Sequence, residues 1–253
     1  MAAPHNRLKS RMAAGDRLRG IWVSSGADTV AEALSLVGFD WLLIDTEHGP
    51  IEAGGALGML RAAGLGDADC VVRVAWNDAV LIKRVLDLGA QTLMVPFVQN
   101  AEEARAAVRA MRYPLGGVRG SAGITRAGRY GMASDYLTTA NDQMALIAQV
   151  ETAEALACID EIAAVDGVDG VFIGPSDLSA SMGHLGNPDH PEVVAAIAEA
   201  ARKIRAAGKR ASILALEMAS IRQYEDMGFD MVAGGLDMHL LMQAARDLLA
   251  GMT

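Results

Sequence analysis

Residues 144–181 read MALIAQVETAEALACIDEIAAVDGVDGVFIGPSDLSAS. Two apolar runs in this stretch each lead to a carboxylate: Ala145–Val150 into Glu151, and Gly170–Ile173 through Gly174 and Pro175 to Asp177. Between them Ala155, Leu156, Ile159, Ile162 and Ala163 recur at intervals of about three and four, the spacing of one buried helical face. The unit reads strand, helix, strand. Such a crossover makes the two strands parallel and brings their C-terminal ends to one rim, so Glu151 and Asp177 should meet there. In (β/α) barrels that rim carries the loops from which active sites are built. Two carboxylates brought together either hold a divalent cation or share a proton. Gln149, two residues before Glu151, points to the same side of its strand. An amide with two carboxylates is an oxygen-rich set that suits Mg²⁺ or Mn²⁺ better than zinc.

Working outward, eight short apolar runs can be counted: 20–23, 40–44, 70–74, 92–98, 145–150, 170–173, 211–215 and 231–233. Helical patterns separate them, among them 29–37, 51–63, 78–88, 101–112, 191–207, 220–227 and 239–250. Eight alternations in 253 residues without a change of composition fit one domain, 1–253, an α/β fold of the single (β/α)₈ TIM-barrel type. Leu8 and Met12 mark an extra N-terminal amphipathic helix, which explains Arg7, Lys9 and Arg11 better than a transit peptide does. An open doubly wound sheet is the alternative. Two connections are long enough to be functional loops, Tyr113–Asp142 with its glycines and arginines, and Gly174–His190. The first reads equally as a cover over an anionic ligand and as a solvated loop.

Composition narrows the function. Hydrophobic content is 52%, aromatic content only 4% and net charge −9, so a large aliphatic core is expected, and neither a nucleic-acid platform nor a polyanionic partner. No run is long enough to span a membrane. Cys70 and Cys158 lack metal-ligand spacing and read as reduced core residues of a cytoplasmic protein. No lysine ends a strand, which disfavours imine chemistry, and no glycine fingerprint follows one, which disfavours a nucleotide cofactor.

Asp45, Glu47 and His48 crowd the end of the second run, an uneconomical way to build a core. Histidine is the natural proton carrier near neutrality, and an adjacent carboxylate would orient it. A turn or capping cluster is the competing reading. Arg73, inside the third run, needs an anion, supplied by a ligand or by a barrel carboxylate. His5, His184, His190 and His239 read as surface or loop residues, and Trp22, Trp41 and Trp76 as packing residues. Asp87, near a helix end, is explained by a solvated face.

Six segments in order carry a resemblance over nearly the whole chain: Asp45-Thr46-Glu47-His48-Gly49-Pro50, Val72-Arg73-Val74, Met94-Val95-Pro96, Gly117-Val118-Arg119-Gly120, Gln149-Val150-Glu151-Thr152 and Gly174-Pro175-Ser176-Asp177-Leu178-Ser179. With them the sequence resembles the HpcH/HpaI family of metal-dependent pyruvate aldolases. The resemblance implies reversible cleavage of 4-hydroxy-2-oxo acids to pyruvate or hydroxypyruvate plus an aldehyde. It makes Glu151 and Asp177 the ligands of a divalent metal, Mg²⁺ or Mn²⁺, with Co²⁺ a further choice. Gln149 and the backbone from Gly174 and Pro175 to Ser176 would contact the 2-oxo acid. His48 becomes the base, Arg73 the group beside the keto oxygen, and Asp87 the residue that raises the histidine's basicity.

Asp87, at the C-terminal end of a helix, belongs on the opposite face of the barrel from His48. Both statements hold if Asp87 reaches a neighbouring subunit, so a homo-oligomer with shared sites is expected; the family's hexamer, a dimer of trimers, agrees. The sequence departs from the common family pattern at Gly49 and at Ala233-Gly234-Gly235-Leu236-Asp237. Arg119, Arg126 or Arg129 would meet an acidic acceptor aldehyde, with solvation of the loop as the competing explanation. The competing functions are a citramalyl- or malyl-CoA-type lyase and a non-catalytic metal-binding barrel that senses 2-oxo acids.

Overall fold

A computed structural model describes residues 1–252. The first of its helices, α1 (Arg7–Ala14), begins at Asn6, whose side chain accepts from the amide of Lys9 and so caps the first turn. Strands β1 (Leu18–Val23), β2 (Trp41–Asp45), β3 (Asp69–Arg73), β4 (Thr92–Val95), β5 (Ala145–Val150), β6 (Val168–Ile173), β7 (Arg210–Leu214) and β8 (Met231–Leu236) follow. They pair in that order, all parallel, and β8 closes on β1. The helices after β1 to β4 are α2 (Asp28–Ser35), α3 (Ala56–Ala63), α4 (Ala79–Asp87) and α5 (Ala101–Met111). Then come α6 (Tyr136–Gln143), α7 (Ala153–Ala157), α8 (Ile159–Ala163), α9 (Pro175–Ser181), α10 (Pro191–Ala206), α11 (Met218–Met227) and α12 (Asp237–Gly251).

Alternation along each strand divides the apolar residues between two cores. Outward residues such as Ile21, Leu42, Ile44 and Val72 pack under the helices. Inward ones, including Trp41, Leu43, Val71, Met94, Ile147 and Met231, fill the lumen. Leu8 and Met12 of α1 join the inner core, so the extra helix plugs the barrel at the N-terminal ends of its strands. Gly20 leaves the space that Trp41 occupies: a Cβ there would come within 2.1 Å of the indole. At the other end the same alternation turns Asp45, Arg73 and Gln149 inward, two residues beyond Leu43, Val71 and Ile147.

The barrel and its plug match the sequence reading; three details differ. The helix read between Ala155 and Ala163 is two short ones, α7 and α8, separated at Cys158. The connection 113–142 is no open loop: it holds a 3₁₀ turn (Arg129–Gly131) and most of α6, and Tyr113, Ala127, Ala133, Tyr136 and Ala140 pack into a small core of their own. The connection 174–190 opens with α9, whose first helical residue is Pro175, a position that needs no amide hydrogen.

Candidate active site

Asp45 and Arg73 are register partners on adjacent strands, and their side chains meet above the lumen core. The guanidinium grips the carboxylate with Nε to Oδ1 at 3.0 Å and Nη2 to Oδ2 at 2.6 Å. Arg73 Nη1 lies 2.8 Å from Glu47 Oε2, and its Cζ is 4.8 Å from the ring of Trp22. Two of the five guanidinium N–H groups thus bond to Asp45; the Glu47 contact is an ion pair whose Oε2 has no hydrogen-bond partner among the described residues, and three N–H groups remain. Asp45 also accepts from Trp22 Nε1 at 3.1 Å and from the amides of Glu47 and His48 at 3.0 and 3.3 Å. Burial would raise its pKa, but the bonds from Arg73, Trp22 and the Glu47 amide outweigh it and hold the carboxyl below its usual value. One aspartate therefore fixes both the arginine and the turn that carries His48.

Glu151, Gln149 and Asp177 form the second half. Gln149 Nε2 donates to Glu151 Oε2 at 2.5 Å, and Phe97 N donates to Oε1 at 2.9 Å. Phe97 makes that contact from φ 55°, a left-handed conformation rare for an aromatic residue. Glu151 is pushed up to about 7 by burial, offset in part by Gln149 and raised further by Glu47 and Asp177. Glu47 is raised too, first by burial, with Arg73 opposing and Asp45 and Asp177 assisting. Gln149 Oε1 is buried without a hydrogen-bond partner. Gly174 makes the approach of β6 to β5 possible: a Cβ there would lie 2.8 Å from Glu151 Oε2.

Between the halves is a cavity of about 430 Å³. Asp45, His48, Arg73, Gln149, Ser176 and Asp177 line one side and Trp22, Phe172, Leu214 and Leu236 the other. A carboxylate pair, a buried unpartnered amide oxygen and a third acid at the rim make a donor set that fits a hard divalent cation. His184, His190 and Glu192 form another His/Glu cluster, at the start of α10. Its two rings stack at 3.5 Å, so their lone pairs do not converge in a common plane.

The structure brings His48, Arg73, Asp45, Gln149, Gly174, Pro175, Ser176 and Asp177 to one cavity, with Glu151 against Gln149. Asp87 is elsewhere. It ends α4 at the plugged end of the barrel and pairs with the fully buried Arg119 at 2.9 Å. Arg119 is thus not available to an acceptor in its own chain's cavity, and Arg126 and Arg129 line a separate cavity beside Pro4 and Gln91. Trp76 is half exposed and stacks on Phe97 instead of packing inside. The residues the sequence reading missed are Trp22, read only as packing, together with Phe172, Leu214, Leu236 and the Phe97 amide. The first four are inward positions nearest the rim, a place that period-two alternation identifies once the strand ends are known.

Parallel strands closed into a barrel, with acids, an arginine and a histidine at their C-terminal rim, define an enzyme of the (β/α)₈ class. Residues 18–244 match the family described as HpcH/HpaI aldolase/citrate lyase. The chain is 49% identical over 251 residues to a hydroxypyruvate/pyruvate aldolase of Roseovarius nubinhibens, covering 99% of this chain and 98% of that one. It is 49% identical over 250 residues to a 4-hydroxy-2-oxo-heptane-1,7-dioate aldolase of Klebsiella pneumoniae, covering 98% and 94%. A crystal structure of an HpcH/HpaI aldolase/citrate lyase family protein from Burkholderia cenocepacia superposes with a TM-score of 0.95 at 41% identity, covering 98% of this chain and 99% of that one. The chain belongs to the HpcH/HpaI family and is a carbon–carbon lyase of the aldolase type.

Proposed function

We propose that the protein cleaves 4-hydroxy-2-oxo acids reversibly to pyruvate, or hydroxypyruvate, and an aldehyde, and that Glu151 and Asp177 hold the divalent metal the reaction needs. The observation that carries this reading is the buried Glu151–Gln149 pair with the exposed Asp177 at the rim, beside a clamped arginine. It supplies more oxygen donors than the protein's own hydrogens satisfy. Mg²⁺, Mn²⁺ or Co²⁺ would accept those donors and polarise the substrate's 2-oxo and carboxylate oxygens as a Lewis acid.

The chain's own residues account for the rest. Arg73, immobilised by Asp45 and Glu47, presents its remaining N–H groups to the cavity, where the keto oxygen gains negative charge as carbon three loses its proton. A donor fixed in advance needs no reorganisation at that moment. His48 lines the cavity and takes the proton, directly or through a water. Asp45 touches no substrate atom in this scheme; it positions Arg73 and the His48 turn. In the cleavage direction His48 receives the proton of the 4-hydroxyl group and the C3–C4 bond breaks. Its electron pair is delocalised onto the oxygen beside Arg73 until carbon three is reprotonated. The apolar wall of Trp22, Phe172, Leu214 and Leu236 faces the substrate's other side and limits water.

Asp87 belongs to this scheme through a neighbouring subunit, in a hexamer built as a dimer of trimers. Its place at the plugged end, away from its own His48, supports that reading. No helix among the described residues is long and apolar enough to cross a membrane, and a cytoplasmic location is part of the proposal. Pyruvate release from a panel of 4-hydroxy-2-oxo acids tests the reaction. Release by wild type that stops with EDTA, returns with Mn²⁺ or Mg²⁺, and is absent from Asp177→Ala is expected. Release that survives EDTA would overturn the metal role. Binding of 2-oxo acids without turnover would point to a sensor, and turnover of acyl-CoA substrates alone to a lyase of that class.

A further inference from the structure

Trp76 and Phe97 occupy equivalent places above adjacent strands. Arg73 of β3 and Met94 of β4 are register partners, and each aromatic residue stands three positions beyond its own strand's member of that pair. Their rings stack with centroids 5.4 Å apart and an interplanar angle of 26°. Trp76 is 52% exposed and Phe97 40% exposed, and neither belongs to the lumen core or to the core under the helices. Two large aromatic residues at the rim therefore pack chiefly on each other.

The Phe97 backbone sits where its own side chain disfavours it. Its φ of 55° lies in the left-handed region, which glycine enters freely and a residue with a bulky side chain enters at a cost. The chain just beyond it is tied down: Val98 N donates to Gln149 O at 3.0 Å, Gln99 N donates to Glu103 Oε2 at 2.8 Å, and Thr152 Oγ1 donates to Gln99 Oε1 at 2.7 Å. Phe97 itself accepts a long bond, 3.4 Å, from Gln99 Nε2 to its carbonyl, and gives its amide to Glu151 Oε1 at 2.9 Å. Trp76 is the firmer partner. Its carbonyl accepts from Asp78 N at 2.8 Å, and Asp78 caps α4 by accepting from the amides of Val80 and Leu81.

We propose, on the reading of Glu151 as a metal ligand given above, that Trp76 is a positioning residue for it. The indole, anchored to the start of α4, holds the Phe97 ring and so keeps Phe97 in the left-handed conformation that aims its amide at Glu151 Oε1. Gln149 Nε2 holds the other carboxylate oxygen, so the two donors together fix the plane of the carboxylate and leave each oxygen a further lone pair. Once Phe97 relaxes to negative φ its amide turns away, and Gln149 alone orients the group. The competent arrangement is then a fraction of the population, and apparent metal affinity falls by that fraction.

Mn²⁺ titration followed by EPR tests this in wild type, Trp76→Ala, Trp76→Phe, Phe97→Gly and the double variant Trp76→Ala/Phe97→Gly, with hydrogen exchange of the Phe97 amide measured on metal-free wild type and Trp76→Ala. Trp76→Ala should fold, since its side chain is half exposed, and bind Mn²⁺ about three- to tenfold more weakly, the worth of an aromatic pair. Its Phe97 amide should exchange faster by a similar factor, and Trp76→Phe, which keeps a ring to stack, should restore both. In Phe97→Gly, which has no ring to hold, Trp76→Ala should change Mn²⁺ affinity no further. Wild-type affinity or unchanged Phe97 exchange in Trp76→Ala would overturn the positioning role alone. An equal loss in the Phe97→Gly background would mean that Trp76 acts by another route, which also overturns it. Wild type that binds no Mn²⁺ would remove the metal reading and this role with it.

Discussion

At the scale of single residues the site is a problem of charge: Asp45 and Glu47 pair with Arg73, while Glu47, Glu151 and Asp177 act on one another as like charges. The Arg73–Asp45 pair is buried on both sides, with side-chain exposures of 8% and 2%. Removing Asp45 takes away both hydrogen bonds to the buried guanidinium and leaves it only the Glu47 contact; breaking a buried pair of this kind costs about 3–5 kcal/mol. Asp45→Ala is therefore expected to lose that much stability in urea melts as well as activity, and a loss under about 1 kcal/mol would contradict the pairing. Glu151 gives a pH dependence. Its pKa is raised from 4.5 to about 7 by burial before any other cause. A carboxyl raised on folding stabilises the protein while it keeps its proton, below the unfolded value, and loses that contribution as pH rises through about 7. Metal-free protein should thus melt at lower temperature at about pH 8 than at about pH 6. A cation must displace the proton, so its apparent affinity should rise about tenfold per pH unit up to about 7 and level off above it. Calorimetric titration across that range checks the slope, and a flat profile contradicts it. The placement of Asp45, His48, Glu151 and Asp177 at one rim was legible because charged groups at the ends of apolar runs have few other uses. That Glu47 and Asp45 share Arg73 was not, because it depends on strand register, which no local pattern encodes.

At the scale of elements, the β6–α9 junction places Asp177 and makes room for Glu151. Gly174→Ala would put a Cβ 2.8 Å from Glu151 Oε2 and 2.9 Å from its Cβ. This variant should fold, since Pro175 and the α9 hydrogen bonds are untouched, yet bind Mn²⁺ at least tenfold more weakly. Manganese titration followed by EPR measures this; unchanged affinity would show that the junction has slack. Strand β5 was legible to the residue because its apolar run begins after Met144 and ends at a buried acid. The connection 113–142 was misread as open because glycines and arginines dominate its sequence. Its order comes instead from distant partners: Tyr113 and Tyr136 meet edge to face, and Arg119 finds Asp87. Such contacts leave no periodicity. The exposure of α12, of whose 15 residues only Asp237 is buried, was equally hidden, since the spacing of its apolar residues is what a helix packed on its own barrel would also show.

At the scale of the whole molecule, one chain holds two half-arguments about catalysis: His48 at the rim and Asp87 at the plugged end. Sharing between subunits predicts complementation. Asp87→Asn and His48→Ala, each inactive alone, should regain a measurable part of wild-type activity when unfolded together and reassembled. No recovery in mixed assemblies of normal size would place Asp87 outside the reaction. The barrel itself was the most legible feature, because eight repeats of one strand–helix pattern leave few topologies open. The measurement that tests the central claim most directly needs no acceptor aldehyde. Pyruvate is incubated with the protein in D₂O and deuterium entering its methyl group is followed by NMR. The account predicts rapid exchange with Mn²⁺ or Mg²⁺, none after EDTA, and at least a hundredfold slower exchange in His48→Ala and Asp177→Ala. Exchange that continues in metal-free protein or in Asp177→Ala would contradict it.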